Sequence, residues 1–570
     1  MKAKAVWHKK KGIEIKTAAF AKLTKVYPPV LIKLLTTRGL SKLDEIDKFL
    51  NPNFDSGLFN PLLLKNIKRS VKLLSDFIDQ QKKISIYTDY DADGICAGAI
   101  LADLFDEIKY PFEIYIPDRR REGYGLNKNA IKFLKEQKVD LIITCDCASN
   151  NKDEIDFARE LGLEVIVIDH HQLHVKYDQS YFIVNPKQPG DRYPFKELCG
   201  AGLVYKFVQA FLIINGQEKK LQIFGKWLLD LLVIATVADL VPLVSENRVL
   251  SHYGLMVIKK TRRWGIKALA EAAGTNLLDL NSEKIGFVLA PRLNAAGRIN
   301  HASSAYKLLI TKNLDKVKGL ARELDRQNRL RQNITGKVVQ EAKILFKGKK
   351  EKILIGIKKN WDQGVLGIAA SKLMAEFHRP VILLQQIEDQ GVGSARSPKN
   401  FNIINSLDKC SPLLIRYGGH AQAAGLKVSI DKLSELKSAL HKIADRQLKN
   451  SDLVEQIEYD LPIKLADLSW ELYSYLEKLE PFGLGNHQPI FRLNKLTISN
   501  KQYLGNLNKH LKLTLQSGDH FIFALSFDSP VSLRKLAAGE TIDVLATLRK
   551  NQWRNKQSLE LLIIDWKITK

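Results

Sequence analysis

The sequence is short of everything that staples or anchors a chain. Its 570 residues include five cysteines, at 96, 145, 147, 199 and 410, and no CxxC pair. An odd, scattered set of thiols argues against a disulfide framework and fits a reducing compartment. Cys145 and Cys147 form a CxC without further thiol partners, which argues against a zinc–thiolate site. No run of about 18 uncharged apolar residues occurs; the best, Leu231 to Ala238, is too short to span a bilayer. The opening Met1-Lys2-Ala3-Lys4 has no signal-peptide apolar core. The expectation is a cytoplasmic protein without membrane contact. Negative charge is also scarce: 62 acidic side chains face 88 basic ones, a net charge of +26. Such a surface attracts polyanions, of which nucleic acid is the commonest.

What is present supports folded domains. Apolar residues make up 45% of the chain, enough for real cores. The length alone suggests roughly three or four domains. One stretch organises the rest: Thr88-Asp89-Tyr90-Asp91-Ala92-Asp93-Gly94. It follows the apolar run Ile84, Ile86, Tyr87 and precedes a helical pattern from Ile95 to Phe105. Strand, acidic turn and helix place three carboxylates at the carboxyl end of a strand, where α/β sheets bind ligands. Carboxylates this close repel unless protons or cations neutralise them, and a hard divalent cation is the natural partner. A plain acidic turn with Asp93 as a helix cap is the bland alternative.

Two further strands end in polar chemistry: Leu141 to Cys145 meets Asp146, and Val165 to Ile168 meets Asp169-His170-His171. Strand ends of one parallel sheet share an edge, so these groups can converge with the acidic turn. Imidazole among carboxylates suits Mn²⁺ or another first-row cation better than calcium. Farther on, the apolar run from Trp227 to Ala238 meets Asp239, which must be paired, capping or metal-bound. Residues 80 to about 250 alternate strand and helix and predict a parallel sheet covered on both faces. Residues 313–346 read as one long helix, and 350–450 as a second α/β unit. From 455 the pattern changes to short alternating strands. Residues 491–570 carry 13 basic and 6 acidic side chains with Phe521, Phe523, Phe527 and Trp553 interleaved. That suits a small barrel that stacks bases and follows a phosphate backbone.

The motifs Asp89 to Gly94, Asp146, Asp169-His170-His171 and Ala235 to Pro242 resemble, in order, those of the DHH phosphoesterase superfamily. Pro291-Arg292-Leu293-Asn294-Ala295-Ala296-Gly297-Arg298-Ile299 narrows the resemblance to the RecJ type of single-strand-specific exonuclease. Gly418-Gly419-His420-Ala421-Gln422-Ala423-Ala424-Gly425 resembles the glycine-rich signature of a DHHA1 domain. One departure stands out. Where this family commonly has Asp-Asn-Gly or Asp-Cys-Gly, the chain reads Asp146-Cys147-Ala148, so an altered turn is expected there.

The resemblance implies an α/β protein: a DHH parallel-sheet catalytic domain (81–312), a connecting helix (313–346), a smaller α/β DHHA1 domain (347–450) and a C-terminal OB-type barrel (455–570). A helical N-terminal segment, 1–80, is expected to pack on the catalytic domain. Two divalent metal ions, Mn²⁺ or Mg²⁺, are implied, held by Asp91, Asp93, Asp146, His170 and Asp239 with Asp89 as a further ligand. Two cations about 4 Å apart activate a water and stabilise the leaving oxygen. His171, Asp91 and His420 take the catalytic positions, His171 at the scissile phosphate. Arg119, Ser394 and Arg396 are the leading contacts for a 5′ end, with Arg292, Arg298, Ser397 and His420 as further contacts with the substrate. The implied activity is 5′-to-3′ digestion of single-stranded DNA to 5′-mononucleotides in repair and recombination. A single-strand-binding protein and a RecQ-type helicase are family-implied partners. The competing readings are a DHH phosphoesterase acting on short oligonucleotides and a non-catalytic DNA-binding scaffold.

Overall fold

The computed structural model describes residues 5–15, 17–505, 508–553 and 556–569. The catalytic sheet has five strands, all parallel, in the spatial order Glu113–Tyr115, Ile84–Thr88, Leu141–Cys145, Glu164–Ile168, Phe182–Val184. Its central strands are continuous apolar runs because both faces are covered. Alternate residues serve two cores. Ile86, Ile143 and Ile166 join one large core with helices Ala92–Glu107, Gly200–Ile214 and Leu229–Ala238. Tyr87, Ile142 and Val165 join another with helices Lys128–Glu136 and Lys152–Glu160.

Asn313 caps the helix Leu314–Phe346, which runs 33 residues, about 50 Å at 1.5 Å per residue. Its first half gives Val317, Ala321 and Leu324 to the catalytic core. Its second half gives Val338, Ala342 and Phe346 to a core with helix Gln363–Phe377. It is therefore a strut shared by two hydrophobic cores. The second α/β unit has the strand order Arg416–His420, Ala423–Ser429, Gln390–Arg396, Val381–Ile387, Leu354–Lys358. The C-terminal strands close into a barrel because Phe491–Leu504 pairs with both His510–Ser517 and Thr541–Trp553. Leu493, Ile498, Leu513, Val544 and Leu561 fill it. Phe521 and Phe527 stand outside it, 69% and 53% exposed, so they are not core residues. The Trp553 side chain lies outside the described ones.

The N-terminal segment departs from expectation. Only its later part packs on the catalytic domain, through Ile67, Val71 and Leu74. Leu31, Leu34, Leu35, Ile46 and Leu50 instead share a core with the barrel. A strand, Val6–Lys9, pairs in parallel with Gln456–Tyr459. The amphipathic helices of this segment signal only that they need a partner surface, and pairing across some 450 residues leaves no local trace.

Candidate active site

The acidic turn sits at the carboxyl end of Ile84–Thr88. Asp91 caps the next helix, its Oδ1 accepting from the backbone N–H of Asp93 at 2.9 Å and of Gly94 at 3.2 Å. Asn294 fixes the turn from outside, its Oδ1 accepting from Ala92 N–H at 2.7 Å. Asp93 points the other way. Its carboxylate accepts from the N–H groups of Gly200 and Ala201 at 2.7 and 2.8 Å, the positive end of a helix. Gly200 is required here: an added Cβ would stand 2.5 Å from the Asp146 side chain.

Three buried polar atoms converge without a hydrogen-bond partner among the described residues: Asp89 Oδ1, Asp146 Oδ1 and His170 Nε2. His170 Nε2 is 3.2 Å from Asp146, 3.6 Å from Asp239 and 3.9 Å from Asp93. Burial, then the neighbouring His171, pushes His170 down to about 3, so its ring is neutral and keeps a lone pair for a cation. Asp239 closes the group from the C-terminal end of helix Leu229–Ala238. His171 is different. Burial would lower it, but the hydrogen bond it donates to Asp169 and that carboxylate's charge win and push it up to about 9. Its Nδ1 is 2.7 Å from Asp169 and 2.9 Å from the Tyr124 hydroxyl. Burial works against the Asp169 charge as well; the bond to His171, that ring's charge and the N–H of Ser149 hold it below the usual range.

The donor atoms form three groups, each within 4.8 Å: Asp89, Asp91, Asp146; Asp93, His170, Asp239; and Asp146, Asp169, His170, His171. Asp146 and His170 join them. Buried oxygens and an imidazole nitrogen with no partner fit a pair of divalent cations, Mn²⁺ or Mg²⁺. The protonation of these carboxylates gives a test. Burial, then neighbouring carboxylates, raises Asp239 to about 9 and Asp93 to about 6 from an ordinary 3.8. Such groups bind protons better folded than unfolded. Their contribution to stability is complete below about pH 4 and is lost as pH rises towards 6 and then 9. A bound cation replaces those protons. Mn²⁺ should therefore raise Tm more at pH 8 than at pH 5.5, with proton release visible by calorimetry. Equal gains at both pH values would remove Asp93 and Asp239 from the ligand set.

The turn after Asp146 shows how the chain manages without its family's glycine. Asp146 and Ala148 both take left-handed backbone, at φ 64° and 81°. Ala148 pays a steric cost there that glycine avoids. Ala148→Gly should leave the ligand geometry intact and raise stability by up to about 1 kcal/mol, read as the shift in a denaturant midpoint.

Next to the acidic groups lies a cluster of arginines. Burial, then Arg119 and Arg331, lowers Arg298 to about 10, with Asp91 opposing and Arg396 adding. Burial and Arg119 lower Arg396 likewise. Arg396 fits over helix Gln363–Phe377 because position 367 is glycine; a Cβ there would stand 2.8 Å from its guanidinium nitrogen and 3.6 Å from the Ser394 hydroxyl. Arg119 stacks on Tyr90, and its charge reaches Asp89. Among the described residues, the buried Nε of Arg331, on the long helix, has no hydrogen-bond partner. Sequence reading put Arg331 on that helix but gave it no place in this pocket.

Two expected contacts have other partners. Arg292 is neutralised by Asp325 at 2.8 Å and donates to the Val288 carbonyl at 2.7 Å. The Ser397 hydroxyl is buried and donates to the Phe401 carbonyl at 2.6 Å. Arg292 and Arg298 both lie on helix Ala290–Ile299. Its small residues allow close packing: a Cβ on Gly297 would stand 2.9 Å from the Tyr90 carbonyl. His420 is exposed on the edge strand, and register places it in one row with Ala423 and Arg396. A cavity of about 950 Å³ leads away from this region, lined by the catalytic domain, Arg331, Ile368 and the barrel residues Arg549 and Lys550.

Three family descriptions match the chain: the DHH family N-terminal domain over residues 83–236, the DHHA1 domain over 350–446 and the RecJ OB domain over 459–565. The single-stranded-DNA-specific exonuclease RecJ of Bacillus subtilis is 35% identical over 94% of this chain and 68% of its own length. That of Haemophilus influenzae is 30% identical over 94% of this chain and 95% of its own. The chain belongs to the RecJ family. The crystal structure of RecJ from Thermus thermophilus in complex with Mn²⁺ matches the whole chain and 80% of its own length, at a TM-score of 0.84 and 26% identity. The corresponding Mg²⁺ complex gives 0.78 and 25%. Both cations named there are ones that the oxygen-rich donor set of this RecJ-family chain suits. Among its described residues no single helix is long and apolar enough to cross a membrane.

Proposed function

We propose that the chain digests single-stranded DNA from the 5′ end by metal-dependent hydrolysis, releasing 5′-mononucleotides. The observation that carries this is the adjacency of two three-residue ligand groups to an arginine pocket. Asp89, Asp91 and Asp146 would hold one cation and Asp93, His170 and Asp239 the other. When bound, they supply Lewis-acid charge at the scissile phosphate. Asp169 keeps His171 protonated and oriented, so His171 offers a proton and positive charge there rather than a metal ligand. Arg119, Arg298 and Arg396 with Ser394 take the terminal phosphate, and His420 extends that row along the backbone. Arg292 and Ser397 act by holding the pocket's walls.

We divide the chain into catalytic domain 81–312, connecting helix 313–346, DHHA1 domain 347–450 and barrel 455–570, with the first fifty residues belonging to the barrel body. A cytoplasmic repair and recombination role alongside a single-strand-binding protein and a RecQ-type helicase follows from the family. The test is a long single strand labelled at either end, incubated with Mn²⁺ or EDTA. Metal-dependent loss from the 5′ end is expected. Cleavage of dinucleotides alone would favour the short-oligonucleotide reading, and binding without cleavage the scaffold.

A further inference from the structure

Two large apolar side chains stand in the open beside the ligand groups. Phe287 is 79% exposed and Leu240 is 69% exposed, and both line the cavity that also holds Arg298, Arg331 and Arg549. Neither exposure is an accident of a loose surface. Phe287 lies in a π-helical turn, Ile285–Leu289, set between Ser282–Lys284 and Ala290–Ile299. The ends of that turn, Ile285 and Leu289, are fully buried, and of its side chains Phe287 is the most exposed. Such turns recur at functional sites. Leu240 follows Asp239 directly and takes left-handed backbone at φ 57°, which is strained for a bulky side chain. Its apolar neighbours Val237 and Val241 are buried while Leu240 faces the cavity.

A chain that accepts backbone strain to display an apolar group beside a cluster of charge has an amphiphilic ligand to meet. A single nucleic acid strand is such a ligand: its phosphates suit the arginines, and its bare base faces suit an aromatic ring. In a duplex those faces are stacked and hidden.

We propose that Phe287 and Leu240 form an apolar seat for one unstacked base next to the scissile phosphate, so that the site senses single-strandedness by contact as well as by width. This rests on the exonuclease reading above. The test uses 5′-phosphorylated oligonucleotides in which a single abasic residue is moved one position at a time from the 5′ end, with the wild type, Phe287→Ala and Phe287→Tyr. Phe287→Ala should raise KM on intact strands about tenfold, the scale of one base–aromatic contact, with kcat falling less. Phe287→Tyr keeps the ring and should stay near wild type. At one position the abasic substrate should slow the wild type by a similar factor yet add little to the loss in Phe287→Ala. A normal KM in Phe287→Ala overturns the seat. So does an equal loss on intact and abasic strands at every position, which would assign the ring to domain closure. A wild type inert on single strands would sink the exonuclease reading instead.

Discussion

Asp146→Asn is expected to abolish single-strand digestion while making the metal-free protein more stable. The two effects have one cause. Asp146 lies between the two ligand groups, buried, with no hydrogen-bond partner for Oδ1 among the described residues. Burial first, then Asp93, Asp91, Asp89 and Asp239, raises its carboxyl well above the usual range. At neutral pH the fold therefore carries a group that would be better neutral, and asparagine is neutral. The metal-free Tm should rise by a few °C, on the scale of about 2–4 °C per kcal/mol. Asparagine cannot supply the charge that a cation needs. A metal site contributes several kcal/mol to a phosphoryl transition state, and about 1.4 kcal/mol is a factor of ten. A loss of at least about a thousandfold in kcat follows. Mn²⁺ should no longer raise Tm as it does in the wild type. Retained turnover would remove Asp146 from the site.

Arg396→Ala should erase the preference for a 5′-phosphate over a 5′-hydroxyl. Hydrogen bonds to a charged group contribute about 1.5–3 kcal/mol, so the rate ratio of the two substrates should fall roughly 10- to 100-fold. Arg396→Lys should rescue little, because an ammonium lacks the planar fork. Arg292→Ala is the informative comparison. Its guanidinium is already spent on Asp325, so this change should lower stability and leave the preference intact. If Arg292→Ala shifts the preference and Arg396→Ala does not, the two arginines have been placed the wrong way round.

The contrast between these arginines shows what the sequence can carry. The carboxylates were legible because each ends an apolar strand or helix, and parallel strand ends meet at one edge. The long helix was legible because its apolar spacing repeats for 33 residues. The fate of Arg292 depended on Asp325, one helix away, and that of Ser397 on a carbonyl four residues on. No pattern of residue types separates an arginine facing a phosphate from one facing a carboxylate. Asp169 was visible in its motif, but its work on His171 appears only when the distance is known. The glycines at 200 and 367 leave no signal at all, since what matters is the side chain that another segment places over them.

The packing of the first fifty residues against the barrel has a consequence for synthesis. Helices Pro29–Thr36 and Leu43–Leu50 emerge from the ribosome roughly 400 residues before the barrel strands they pack on. At about 5–20 residues per second, the apolar faces of Leu31, Leu35 and Ile46 stay uncovered for tens of seconds. The catalytic sheet can assemble during that interval, since its strands are contiguous in the chain. The barrel body cannot. The catalytic unit thus matures first, and the helices that precede it become structured only when the barrel strands that follow it are made. Trp7, whose ring nitrogen donates to Asp565 at 2.6 Å, waits for a partner made 558 residues later.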